Sequence, residues 1–94
     1  MTTVNRKLLL HKEICERLTR TYAIKNADYG DSYARVRQEV PESILYAIYT
    51  KYSRIQSLLR SGGQRVSNEG IEDSLLDLAN YCILELIERE GFNE

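Results

Sequence analysis

Three groups of side chains in this sequence have types and spacings that could do chemistry. Lys51 and Arg54 stand one helical turn apart. Paired cations of this kind hold phosphate oxygens, the lysine as a point charge and the arginine as a planar fork of donors. Glu69, Asp73, Asp77 and Asn80 fall within a stripe roughly 80° wide when the chain is wound at about 100° per residue. That stripe holds three acids, one amide and no base. Like charges one turn apart repel, so a metal ion, a cation from another helix or plain water must compensate them. Lys25, Asp28, Tyr29 and Asp31 crowd into seven residues and combine phosphate, metal and base-stacking chemistry. Each group also has a plain reading, as solubilising cations, a solvated acidic face and an interhelix loop.

Helices must position these groups. The spacing predicts a first helix over Thr3 to Lys25, capped by Thr2 or Thr3, with Val4, Leu8, His11, Cys15, Leu18 and Tyr22 on one face and Ile14 on its flank. Glu13 and Glu16, with Lys12, Arg17 and Arg20 around them, read as an exposed ion-pair face. His11, on the apolar side without metal-ligand companions, reads as a core or interface residue. Asn26, Asp28 and Gly30 predict a helix end and a turn, after which Asp31 or Ser32 caps a short helix to about Glu39. Pro41 suits the first turn of a helix reaching about Arg60. Its apolar stripe is expected at Ile44 or Leu45, Ile48, Tyr52, Ile55 and Leu59, with Tyr46 and Tyr49 on other sides. Ser61 to Ser67 is a loop, Ser67 or Asn68 caps the last helix, and Gly91 ends it in the left-handed conformation with Phe92 folding back. No strand-like alternation or internal repeat interrupts this pattern. The expected fold is all-α, a compact bundle of three long helices plus a short connecting helix, with residues 1–94 as one helical domain.

Composition narrows the function. Thirteen basic against fourteen acidic residues give a net charge of −1, so the chain lacks the basic excess that duplex DNA binding requires. No apolar run is long enough to span a bilayer, and the start has no apolar leader, so a cytoplasmic location without membrane attachment is expected. Cys15 and Cys82 occupy apolar helical positions and read as small buried hydrophobes in a reducing compartment. Seven tyrosines and no tryptophan are many phenols for 94 residues. Of these, Tyr29 is the expected ligand contact, because an exposed ring beside cations can stack on a base. The last helix is apolar over more than half its circumference, which predicts a homo-oligomer.

Two stretches together carry a resemblance. Lys25-Asn-Ala-Asp28-Tyr29-Gly30-Asp31-Ser32, then Lys51-x-x-Arg54, then Glu72-Asp73-x-x-x-Asp77-Leu78-Ala79-Asn80-Tyr81, resemble the small nucleotide-modification-associated domain of phages and bacteria. The likeness runs from about Lys25 to Ile87. That domain is similar to the all-α nucleoside triphosphate pyrophosphohydrolases of the MazG type, which hold Mg²⁺ with acids from two helices. Carried onto this chain, the resemblance implies Mg²⁺ ligation by Asp73 and Asp77, with Glu69 or Glu72 orienting a water. The sequence departs from the hydrolase pattern. Its pair is D-x-x-x-D, and Ser74 stands where an E-x-x-D pair would place its glutamate.

Three functional readings follow. In the first, a phage-encoded oligomer acting in the host cytoplasm sequesters a nucleotide-derived defence signal, such as a cyclic nucleotide or ADP-ribose derivative, in a pocket near subunit contacts. Binding needs no cofactor: Lys25, Lys51 and Arg54 hold phosphates, Tyr29 stacks on a base, and Asp28, Asp77 and Asn80 accept from ribose hydroxyls or base amines. In the second, the chain is a Mg²⁺-dependent nucleotide pyrophosphohydrolase using Asp73 and Asp77. In the third, the acidic stripe pairs internally with Lys51 and Arg54, and the protein is a non-catalytic helical interaction module.

Overall fold

A computed structural model of the chain describes residues 2–29, 31–61 and 68–91, without the side chains of 28, 29, 68 and 69. Among the described residues the protein is all-α, with no strand. Helix α1 spans Thr3–Tyr29, α2 Ser32–Glu39, α3 Ser43–Arg60 and α4 Asn68–Arg89. Three are long and one is short, as the periodicity predicts. The chain divides into two compact units, Met1–Asp31 with α1 and Ser32–Glu94 with α2 to α4.

Local chemistry sets the helix ends. Thr2 caps α1: its Oγ1 accepts the Asn5 N–H at 3.1 Å, and its carbonyl accepts the Arg6 N–H at 3.0 Å. The helix then continues past Lys25 to Tyr29, four residues beyond expectation. Asn and Asp each lose only a fraction of a kcal/mol in a helix interior, too little to stop an established one. The segment Lys25–Tyr29 is therefore the last turn of α1 and not a loop. After α2, the Ser43 N–H bonds the Val40 carbonyl at 2.9 Å, closing a turn over Pro41 and Glu42. Helix α3 thus starts two residues after its expected position. Helix α4 ends as expected, at Gly91 with φ +73°, a conformation glycine adopts without steric penalty. The Gly30, Gly62-Gly63, Ser67 and Phe92 features lie outside the described residues, as do the side chains of Asp28, Tyr29, Asn68 and Glu69.

Within the second unit α3 packs along α4, and α2 touches α3. The face α3 turns inward is Ile44, Ile48, Lys51, Ile55 and Leu58, all half-buried. It is rotated from the expected stripe: Leu45, Tyr52 and Leu59 are exposed, and a lysine occupies the seam. That lysine meets Asp77 of α4 across the seam. Both cysteines are exposed, against expectation, and so is His11, whose Nδ1 lies 3.7 Å from Cys15 Sγ. An apolar helical position is buried only where a neighbour covers it. Helix α4 is apolar around most of its girth, and Cys82 lies on a side that stays open.

Candidate ligand-binding site

Two side-chain bonds cross the seam between α3 and α4, one turn apart. Lys51 Nζ lies 3.0 Å from Asp77 Oδ2. Arg54 Nε donates to Ser74 Oγ at 3.1 Å. Three residues forward on α3 correspond to three residues back on α4, so the helices run antiparallel and the bonds form successive rungs.

The second rung is chemically unusual. Ser74 is 1% exposed, and its hydroxyl donates to the Gly70 carbonyl at 2.9 Å. With its only proton committed, the oxygen can engage Arg54 solely as an acceptor. The arginine is held in place by a neutral group, so its charge is not neutralised there. Arg54 is itself exposed, and among the described residues its hydrogen bond is to Ser74 alone. Both terminal amino groups of the guanidinium keep their donors for another acceptor. A fork of donors carrying full charge, oriented at Nε, suits a phosphate or carboxylate.

Further along the same face of α4 stand Tyr81 and Glu85, which meet α2 instead of α3. The Tyr81 ring packs against Tyr33 of α2, with centroids 6.3 Å apart and planes tilted by 42°. Glu85, 9% exposed, accepts from Arg37 through Nε at 2.8 Å and Nη2 at 3.1 Å, from Arg89 Nε at 2.8 Å, and from the Tyr33 hydroxyl at 3.0 Å. Hydrogen bonding to Arg37, above all, lowers the Glu85 carboxyl to about 2. Burial, then the bond to Glu85, pushes the Tyr33 phenol up to about 12. The Arg37 guanidinium is raised by the same bond to Glu85. This cluster ties α2 to α4, and the Glu85 carboxylate at its centre is nearly saturated with donors.

The expected site residues distribute as follows. Lys51, Arg54, Asp77 and Asn80 lie in the second unit, with Lys51 and Asp77 in direct contact and Asn80 half-buried one turn on. Lys25, Asp28 and Tyr29 lie in the last turns of α1, in the first unit. The acidic stripe divides: Asp73 is exposed, whereas Asp77 turns into the seam. The Mg²⁺ that the resemblance implies would draw on these acids. Asp77 already has an ammonium beside it, and among the described residues no three His, Cys, Asp or Glu side chains gather as a metal group. The described donor set does not fit a carboxylate-rich Mg²⁺ site.

The model of nucleotide modification associated domain 1 matches residues 25–88, more than half the chain. The chain belongs to that family. The match contains both cross-seam rungs and the Lys25–Tyr29 segment, so the family's shared region is the part that carries the candidate site. No curated protein and no solved structure matches the chain.

Ser74, Tyr33, Arg37, Glu85 and Arg89 were not expected at a site. Glu85 had a signal, being the one acid inside the apolar run Cys82-Ile-Leu-Glu85-Leu-Ile87. A carboxylate there has to find partners or ionise less readily. Ser74 had a weaker one, an uncharged residue three positions before Asp77 on the same helix face.

Proposed function

We propose that this protein binds a phosphate-bearing nucleotide derivative and holds it without turnover, as a sequestering protein would. The single observation behind this reading is Arg54, exposed and oriented by the buried Ser74 hydroxyl instead of by a carboxylate. Arg54 would take a phosphate through its terminal amino groups, with Lys51 one turn away as a second proposed phosphate contact that would have to turn from Asp77. Asp77 and Asn80 would accept from ribose hydroxyls or base amines. Lys25, Asp28 and Tyr29, in the first unit, are proposed by themselves as a phosphate cation, a polar acceptor and a stacking ring. Membership of a nucleotide-associated family supports the ligand class. A cyclic nucleotide or an ADP-ribose derivative, of the kind used as a defence signal against phage, combines the phosphates, ribose and base these groups suit.

The test is incubation with mononucleotides, cyclic dinucleotides and ADP-ribose derivatives, with and without Mg²⁺, followed by filtration and chromatography. A ligand depleted from the filtrate and recovered intact after heating is the expected result. A new product formed only with Mg²⁺ would replace sequestration by pyrophosphohydrolysis. No depletion and no product would leave a helical interaction module.

A further inference from the structure

Helix α3 presents a second feature, on the side away from the cross-seam rungs. Tyr46, Tyr49 and Tyr52 are 77%, 68% and 55% exposed, and Leu45 and Leu59 extend the same apolar strip along the helix. Beside them lies a groove of about 600 Å³ lined by Leu45, Tyr46, Ile48, Tyr49, Tyr52 and Leu78. A tyrosine carries roughly 150–250 Å² of surface, so three rings exposed to this degree uncover roughly 400 Å². A standard interface takes about 800 Å² from each partner, so the rings alone supply about half of one.

The ends of the strip indicate what covers it. Glu42 stands at the N-cap position of α3 with no side-chain capping bond, Arg60 is the last residue of the helix, and both are exposed. They are eighteen residues apart, which at 3.6 residues per turn is five turns, so they share a face with Tyr49, about 27 Å from end to end. The face therefore reads acid, phenols, base. Such a face is its own complement when a second copy lies antiparallel. Glu42 then meets the partner's Arg60 twice, and the projecting tyrosines of each copy enter the groove of the other about a two-fold axis near the middle of α3.

We propose that two copies of this chain associate antiparallel through the α3 face, with Tyr46, Tyr49 and Tyr52 as the buried anchors and Glu42–Arg60 pairs at both ends. Phenols suit this place because the ring buries apolar area while the hydroxyl stays at the wet rim. Glu42 and Arg60 also suit the dipole of their own helix, and the experiment has to separate the two roles.

Sedimentation of the full chain across a micromolar concentration range reads the outcome. The wild type is expected at twice the 10.9 kDa monomer mass or a multiple of it. Tyr49→Glu should raise the dissociation constant about 30-fold or more. Its far-UV circular dichroism should stay that of the wild type, since the ring lies outside the helix packing. Glu42→Arg should weaken association about ten-fold by placing like charges together at both ends. Adding Arg60→Glu to it should restore association, although each change opposes the helix dipole. A wild type that stays monomeric overturns the proposal, and so does an oligomer indifferent to Tyr49→Glu or a double swap that fails to restore. Quenching of tyrosine fluorescence by free adenosine in a monomeric protein would give the groove to a base instead.

Discussion

Among the described residues, one face of helix α4 carries polar contacts to α3 toward one end and to α2 toward the other, and the two ends treat charge in opposite ways. Near its C-terminal end the charge at the centre is negative and enclosed: Glu85 faces two arginines and a phenol, and nearly all of its acceptor capacity is used. Toward its N-terminal end, one turn beyond the Lys51–Asp77 pair, the group that holds an arginine is neutral: Ser74 holds Arg54 through one lone pair. Both ends use arginine and both cross between helices, so residue type alone does not separate them. What separates them is the acceptor. A carboxylate consumes the arginine's charge in the fold, whereas a hydroxyl fixes the arginine's direction and leaves the charge for a partner. The first arrangement serves the fold; the second has the form that the proposed ligand site requires.

If that contrast is right, substitutions at the two ends should fail in different measurements. The largest effect is expected from Glu85→Ala, which leaves Arg37, Arg89 and the Tyr33 hydroxyl facing one another without their common acceptor. Removing one member of a buried charged cluster is strongly destabilising, and the melting temperature should fall on the order of 10 °C. Affinity for the nucleotide ligand at a temperature where the variant is folded should be unchanged. A variant that melts like the wild type would show the cluster to be surface decoration.

Arg54→Ala should do the reverse. Ser74 keeps its bond to Gly70, no buried charge is stranded, and the melting temperature should move by no more than about 2 °C. Ligand affinity should fall about 30-fold or more, because a charge-assisted pair of hydrogen bonds to phosphate is lost. Arg54→Lys should recover only part of it, since an ammonium cannot reproduce the fork. Equal losses of stability and affinity would erase the distinction between the two ends.

The pH dependence sharpens the contrast, because only the Glu85 end should titrate with stability. The Glu85 carboxyl is lowered in the fold from 4.5 to about 2. The unfolded chain therefore binds its proton first as pH falls. The stabilisation is complete above about pH 4.5 and is lost as pH drops toward 2. Tyr33 has the opposite sign. Its phenol is raised from 10.0 to about 12, so its contribution is complete below pH 10 and is lost as pH rises toward 12. Thermal melts across pH should show a plateau between these limits, and Glu85→Gln should flatten its acid edge. An acid edge that survives Glu85→Gln belongs to other carboxylates.

How much of this the sequence held depends on what each feature rests on. Helix number and order follow from apolar periodicity and from the Pro and Gly positions, which are local. The turn over Pro41–Glu42, the cap at Thr2 and the left-handed Gly91 are local as well. Lys51 opposite Asp77 was legible as a cation one helix away from an acid, the third functional reading in small. The rotation of α3 was not, because Ile44, Leu45, Ile48, Tyr52, Ile55 and Leu59 fit a helical stripe in either of two settings. The Lys51–Asp77 and Arg54–Ser74 rungs are non-local contacts that exist only after α3 and α4 have met. For the same reason the exposed cysteines and His11 misled: side-chain character predicts a preference for burial, and only a neighbour supplies it.

Ser74→Ala is the subtlest break and tests the hydroxyl alone. The Gly70 carbonyl lies four residues before position 74 in a helix, so it keeps its backbone partner, and exposed Arg54 can turn to water. Net stability should change by only about 1 kcal/mol: the hydroxyl's two hydrogen bonds are lost, but both go to groups that keep or find another partner, and alanine improves helix propensity. What changes is the freedom of Arg54. Restraining a rotamer-rich side chain on binding costs about 0.5–1.5 kcal/mol, a cost the wild type has already met in folding. Calorimetric titration with the identified ligand should therefore show affinity falling about three- to ten-fold with a less favourable entropy. Unchanged affinity would mean the hydroxyl merely rests against the guanidinium. A rise in affinity would mean that Ser74 competes with the ligand for Arg54, and that the neutral end of the seam restrains the cation more than it presents it.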